Sequence, residues 1–249
     1  MSGTRTWMVV PPIGFESIAR GDAMNRRWGV ALIAAILLTA PTWGQIDAGG
    51  AYHGPALGHA GDVTYPMNSS TTGIVTLDIS VDATGTVQNV GVVRDVPPLT
   101  SAAQSAVRSW QFTPAMVNGL ASAGTVRVNV VFNPFNPSGV GLPSPPLQPA
   151  NSNKAPNRGD FQPAQVTEAH YATYPPHTVQ AGTVVLQVRV ESGGQVQGVI
   201  VARGIGSLSG TASKAVKTWK FTAASYKGKA VASDVVVAYV FASPAAGTM

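Results

Sequence analysis

The chain has 249 residues, enough for one medium domain or two small ones, with 45% hydrophobic residues, 11% charged residues and no cysteine. The missing cysteine excludes a disulfide scaffold, a thiolate metal site, a cysteine nucleophile and a lipid-modified cysteine anchor. The formal charge of +5 suggests nucleic acid only until targeting residues are subtracted. Residues 1–44 hold four Arg and two acids, which leaves +3 and no basic stripe with interleaved aromatics, so nucleic acid is excluded as a partner.

In chain order, the first 44 residues read as targeting. Asn25-Arg26-Arg27-Trp28 is a basic start behind Met24, and residues 29–40 are uncharged. Pro41 then breaks the run, and Thr42-Trp43-Gly44 places small residues for a cut before Gln45. Twelve apolar residues are fewer than the roughly 20 that span a bilayer, so export is expected, with membrane anchoring the lesser alternative. Residues 1–23 are expected to be a misassigned start.

Val75, Leu77, Ile79 and Val81 alternate with polar residues and predict a half-buried strand. Asp82-Ala83-Thr84-Gly85 turns the chain, with Gly85 at positive φ. A second strand runs through Val87, Val90 and Val92, and its slipped alternation predicts a bulge. Thr100 is the expected N-cap of a short helix whose apolar stripe is Ala103, Ala106, Val107 and Trp110. Val126, Val128, Val130 and Phe132 make the last strand. Residues 133–163 contain eight prolines and no hydrophobic period, which predicts an extended spacer. Everything then repeats at a spacing of 109 without a gap: strand Val184, Leu186, Val188, Val190; turn Ser192-Gly193-Gly194; cap Ser209; stripe Ala212, Ala215, Val216, Trp219; and last strand Val235, Val237, Tyr239, Phe241. The expected fold class is α+β. Two tandem β-β-α-β domains, at 51–132 and 164–249, would each be a three-stranded antiparallel sheet with one helix on one face.

The pattern Tyr-Pro, Gly before the first strand, Val-Asp-x-x-Gly, Trp-x-Phe-x-Pro-Ala, Gly and a closing Val-rich strand resembles the C-terminal domain of TonB-family proteins. The first copy carries it as Tyr65-Pro66, Val81-Asp82, Gly85, Trp110, Phe112, Pro114-Ala115 and Gly119. The second has Glu191 for the Asp and Ala223 for the Pro. The resemblance covers residues 65–132 and 174–241. It implies a periplasmic interaction module, in which an extended peptide of an outer-membrane transporter pairs with the domain's last strand. That suits a sheet edge with unpaired backbone groups. The chain departs from a full energy transducer, whose uncleaved N-terminal helix engages a proton-driven motor. Here the apolar run is short, and the proline-rich stretch lies between the domains. The alternative is therefore an exported scaffold with the same fold, not coupled to the motor.

The candidate peptide-binding edges are Val126, Arg127, Val128, Asn129 and Val130 in the first copy, and Val235, Val236, Val237, Ala238, Tyr239 and Val240 in the second. Arg127 and Asn129 are expected on an outer face, where they discourage unwanted pairing. Val236, Ala238 and Val240 make the second strand apolar on both faces, so it is expected to be covered. The cover is the other domain, a second chain through self-association, a client peptide, or the tail 242–249. Tyr65-Pro66 and Tyr174-Pro175 are second-rank peptide-site candidates. Lys214, Lys217, Lys220, Lys227 and Lys229 form a candidate patch for an anionic partner such as peptidoglycan, unless they are only a solvated face. Trp110 and Trp219 read as core anchors, and Arg94 and Arg203 as carbonyl caps or local ion-pair partners. His53, His59, His170 and His177 lack metal-ligand spacing, and no phosphate loop or nucleophile elbow is present. No catalytic residue, metal or cofactor is expected, and the chain reads as a non-enzyme.

Overall fold

Period-two alternation of Val, Leu and Ile fixes which face of each strand turns inward, and the same alternation recurs in both halves. The computed structural model describes residues 52–66, 69–136, 142–150, 160–176 and 178–242, all within the unit Trp43–Met249. The expected targeting segment and the tail 243–249 lie outside the described residues.

The first half runs β1 (Tyr52–His53), β2 (Ala56–His59), β3 (Gly73–Val81), β4 (Val87–Arg94), α1 (Leu99–Val107), β5 (Gln111–Thr113), β6 (Ala115–Val117), β7 (Leu120–Ser122) and β8 (Gly124–Asn133). The second runs β9 (Phe161–Gln162), β10 (Gln165–Glu168), β11 (Gly182–Val190), β12 (Val196–Arg203), α2 (Leu208–Val216), β13 (Lys220–Thr222), β14 (Ala224–Tyr226), β15 (Lys229–Val231) and β16 (Ser233–Phe241). The fold is α+β, mostly strand with two helices.

Two separate three-stranded sheets were expected; the structure has one sheet of six strands, in the order β12-β11-β16-β8-β3-β4. The halves join where β16 runs parallel to β8. Short strands also form two three-stranded and two two-stranded sheets around it. Of these, β2 pairs with β5 and β10 with β13, so each lead-in is tied to its own Trp-x-Phe segment.

The register of the joint decides the layering. Val128 pairs with Val236 and Val130 with Ala238, partners 108 apart, one short of the repeat of 109. Paired residues share a face and neighbours along a strand alternate, so this stagger puts the two inward faces on opposite sides of the sheet. One core holds Leu99, Ala103 and Val107 of α1 with Val75, Leu77, Val128 and Val130, together with Val185, Val236, Ala238 and Val240 from the second half. The other holds Leu208, Ala212 and Val216 of α2 with Val184, Leu186, Val235 and Val237, together with Ile74 and Val131 from the first half. The doubly apolar strand 235–241 is thus covered by the other half of its own chain.

The lead-ins complete the exchange. Leu57, Ala60 and Val63 join the first core beside Val236 and Val240. Thr183 Oγ1 accepts from Val63 N at 2.8 Å, and Gln187 Nε2 donates to the Leu57 carbonyl at 3.3 Å. From the other side, Asn133 Oδ1 accepts from Ala172 N at 2.9 Å. Parts of the proline-rich segment are therefore packing elements: Phe161 is buried, and Pro145 is buried among the residues before it.

Local details follow the repeat. The expected bulge is present, since Val81 pairs with Val87 but Ser80 with Asn89, which leaves Gln88 extra; Gln197 is extra in the second half. Gly85 has φ +89° and Gly194 φ +86°, and a Cβ at either would overlap the carbonyl oxygen of Phe112 or Phe221. Asp82 Oδ1 accepts from Thr84 Oγ1 at 2.6 Å, Thr86 N at 3.0 Å and Thr84 N at 2.8 Å. These bonds hold its carboxyl down at about 2. Thr100 and Ser209 are not N-caps. Both lie inside their helices, and their hydroxyls accept from the preceding loop, at Val96 N and Ile205 N. The helix start is closed instead by backbone, with Leu99 N donating to the Val96 carbonyl at 2.8 Å.

The outer face of the first half holds a buried ion pair. Arg127 Nε donates to Asp78 Oδ1 at 2.7 Å and its Nη2 to Asp78 Oδ2 at 3.0 Å, with side chains 1% and 0% exposed. Arg127 Nη1 donates to the Ala164 carbonyl at 3.1 Å. Thr76 Oγ1 donates to Asn129 Oδ1 at 2.9 Å. Arg127 and Asn129 do not face solvent as expected, because the second half's lead-in closes over them.

Two outcomes follow in unfolding experiments. Arg127→Ala is expected to cost about 3–5 kcal/mol in urea unfolding, since it removes the cation that balances a buried carboxylate, whereas the apolar double variant Asp78→Leu/Arg127→Met regains most of that loss. A single variant within about 1 kcal/mol of wild type would contradict this account. For Asp82 the folded-state pKa lies below the ordinary 3.8. Its contribution is therefore complete above that value and is lost as pH falls towards about 2. Asp82→Asn should flatten the acid limb of the melting-temperature profile over that window, and an unchanged limb would count against the assignment.

Candidate functional site

Each expected edge residue now has a location. Val126, Val128 and Val130 point into the α1 core, and Arg127 and Asn129 lie under the second half. Val235, Val237 and Tyr239 point into the α2 core, and Val236, Ala238 and Val240 into the first. Both strands are paired on both sides, β8 with β3 and β16, and β16 with β11 and β8. The expectation of two open last-strand edges is therefore corrected: each strand's outer backbone is taken by the other.

This seam is deeply set. Ile74, Val131, Val185, Val236 and Val240 are each at most 1% exposed. Full burial of a Val or Ile side chain is worth roughly 1.5–3 kcal/mol, so together they hold the halves by on the order of 10 kcal/mol, an upper value because unfolded chains already bury some surface.

The equivalent arginines Arg94 and Arg203 both reach across it. Arg94 Nη2 donates to the Val166 carbonyl and its Nε to the Gln148 carbonyl, each at 2.9 Å. Arg203 clasps Asp62 through both guanidinium ends, with Nη2 to Oδ2 at 2.6 Å, and Nη1 also donates to the Thr183 carbonyl. The Arg203 hydrogen bond holds the Asp62 carboxyl below its usual range. Both arginines cap carbonyls as expected, Arg203 one in its own half, and both also connect the halves.

Tyr65 and Tyr174 brace the ends of their own last strands. The Tyr65 ring meets Phe132 edge-on at 5.3 Å and its hydroxyl donates to the Thr71 carbonyl at 2.5 Å. Tyr174 lies edge-on to Phe241 at 5.2 Å and donates to the Ala242 carbonyl at 2.9 Å. Burial pushes the Tyr65 hydroxyl up to about 12 and Tyr174 higher still. Pro66 and Pro175 follow them on the half-buried lead into each half.

The lysines do not gather. Lys214 and Lys217 lie at the end of α2, Lys220 on β13, Lys227 in the β14–β15 turn and Lys229 on β15. All are exposed. Lys220 Nζ is paired with Glu168 Oε2 at 2.6 Å, and Lys227 lies over the Tyr226 ring at 5.4 Å.

Two cavities are lined by described residues. One of about 170 Å³ lies between the halves, lined by Tyr52, His53, Arg189, Ser233 and Asp234 among others. Burial pushes the Asp234 carboxyl up against the pull of Arg189, 3.3 Å away. A shallower groove of about 440 Å³ borders His170, Tyr171 and Lys214. Among the described residues no three His, Asp or Glu side chains converge as a metal site, and no helix is long and apolar enough to cross a membrane. His177 lies outside the described residues.

Sequence reasoning missed the sheet's real edges, β4 and β12. A signal was present in the repeat, where the apolar Ile200 takes the position held by Gly91 in the first copy.

Residues 63–134 and 170–242 match the family model described as Gram-negative bacterial TonB protein C-terminal. Protein TonB of Xanthomonas campestris pv. campestris, from strain B100 and from a second strain, is 45% identical over 62 residues, 24% of this chain and 28% of that protein. The chain thus spans under a third of the length of these curated relatives. No solved structure matches.

The two arginines give a graded outcome. Arg94 is 9% exposed and leaves two carbonyls without a donor when removed, so Arg94→Ala should cost about 2–3 kcal/mol in urea unfolding. Arg203→Ala breaks a half-exposed pair and should cost under about 1 kcal/mol. Equal losses would mean that burial does not set the strength of the two clasps.

Proposed function

This chain belongs to the TonB C-terminal family, and from that premise we propose that it is a periplasmic interaction module of transmembrane transport, which takes up an extended peptide of an outer-membrane transporter by strand addition. Proteins of this family are non-enzymatic, and this chain is not an enzyme. In this reading residues 24–44 direct export, and family domains at 51–132 and 164–249 flank the segment 133–163. The observation that carries the reading is the presence of two family domains whose long strands join in one sheet that still ends in outer strands, β4 and β12. An outer strand offers unpaired N–H and C=O groups to an incoming chain, and pockets beside it select alternate side chains.

A second reading is favoured by one observation, the mutual pairing of β8 and β16. These strands carry the peptide in the resemblance, and here each is already occupied. An exported scaffold that uses the paired halves as one rigid body, uncoupled from a proton-driven motor, fits that occupation.

Titration separates the two. The full chain, fluorescently labelled, is titrated with a purified TonB-dependent outer-membrane transporter in detergent, intact or lacking its N-terminal periplasmic peptide. The transport reading expects saturable binding that the deletion abolishes, together with lower uptake in cells lacking this protein. Binding indifferent to the peptide, with uptake unchanged, would overturn it in favour of the scaffold.

A further inference from the structure

The two ends of the sheet are copies of one strand, yet they are not equally exposed. On β4, Gly91 is buried, Val93 is 3% exposed and Arg94 is 9% exposed. At the equivalent positions of β12, Ile200 is 39% exposed, Ala202 is exposed and Arg203 is half-buried. Val201 of β12 is 44% exposed, where Val92 is half-buried.

The cause lies in what reaches each end. In the first half the Gln104 side chain of α1 donates to the Val90 carbonyl at 3.2 Å, and Arg94 holds the proline-rich segment through the Gln148 carbonyl. In the second half Gln104 is replaced by Ser213, too short for that reach, and Arg203 is drawn back to Asp62. The stretch 198–201 lies between two bulges and pairs regularly with β11, so it is a straight strip of backbone. It contains no proline and no charge, whereas edge strands are ordinarily protected by such residues.

We propose that the free edge of β12 accepts an extended peptide from another protein, with alternating apolar residues and an acidic residue beside Lys217. The proposal rests on the interaction-module reading above and places its contact. The acidic requirement comes from the helix. Gln104 marks the side of α1 that faces the edge strand, so Ser213 marks the same side of α2, and Lys217 lies one turn further along that side. Neither α2 nor β12 carries an acid, and no ion pair engages Lys217 among the described residues. A second copy pairing its own β12 here would bring no acid from β12 or α2 to face Lys217. The backbone would supply affinity, Ile200 and Val201 the apolar contacts on the two faces, and Lys217 the polarity of the bound strand.

The probe is a synthetic end-blocked octapeptide of alternating valine and threonine with a glutamate at each end. It is titrated into the full chain labelled with ¹⁵N. Saturable amide shifts confined to 196–203 and Lys217 are expected. Val201→Glu, at an exposed position, should weaken binding roughly tenfold, and Lys217→Glu should do likewise while removing its salt dependence. Asn89→Glu, on the edge of β4, should leave binding unchanged. Shifts centred on 126–132 or 235–241 would overturn the placement, as would none at millimolar probe. Dimerisation of the free chain that Val201→Glu abolishes would also overturn it, since a second copy would then be the occupant. The transporter titration is independent of these results. A transporter that binds equally well to Val201→Glu leaves the module reading intact and removes β12 as its contact.

Discussion

Everything in this molecule depends on the register with which β16 lies beside β8. Parallel pairing of duplicated strands is compatible with two layouts. In register, both halves would turn their inward faces the same way and compete for one side of the sheet. Displaced by one residue, they turn to opposite sides, and each half's exposed face becomes the place where the other deposits apolar side chains. The observed pairing is the displaced one. From it follow the two cores, the lead-ins that cross to the other half, and the buried Arg127–Asp78 pair beneath one of them. A 60-residue domain of this kind has a marginal core by itself; sharing faces lets two such cores stabilise one another.

The symmetry is broken where the sequences differ. The first half places Asp78 and Arg127 on its shared face, and the second places Gln187 and Val236 at the same repeat positions. A charged pair needs several acceptors to sit buried, and the carbonyls of residues 163 and 164 supply them. Gln187 needs only the Leu57 carbonyl. The same divergence leaves Arg94 enclosed and Arg203 at the rim, and it opens one end of the sheet more than the other.

Much of the local structure was legible in the sequence because its causes are local. Alternation at 75–81 and 184–190 gave strands and inward faces, slippage at Val87–Val90 gave the bulge, and Gly85 and Gly194 had to turn because nothing with a Cβ fits there. The doubly apolar strand 235–241 announced that it was covered, but pattern alone does not name what covers it. Arg127 was misread since a charge on a strand ordinarily means solvent, and only the lead-in from 161–172, distant in sequence, makes it interior. The N-caps were misplaced because Val96 and Ile205 close the helix starts with their own carbonyls, which frees Thr100 and Ser209 to tie down the loops instead. The site was the least legible part. Which strand is an edge is a property of the whole sheet, and no single strand's composition contains it.

The two hairpin turns have a consequence for how the molecule carries load. Because β8 and β16 are parallel and each is antiparallel to its neighbour, the turns at 82–85 and 191–194 lie at the same rim of the sheet. Gly73, Asn133, Gly182 and Phe241, where the chain enters and leaves the central strands, all lie at the opposite rim. Tension applied between Gly73 and Phe241 therefore acts across the strands, from one end, and breaks their hydrogen bonds in succession like a zip. The geometry that resists pulling, with the load along the strands and all bonds strained together, is absent from the sheet's own connections. Mechanical resistance falls to the lead-ins and to the arginine clasps that tie them down.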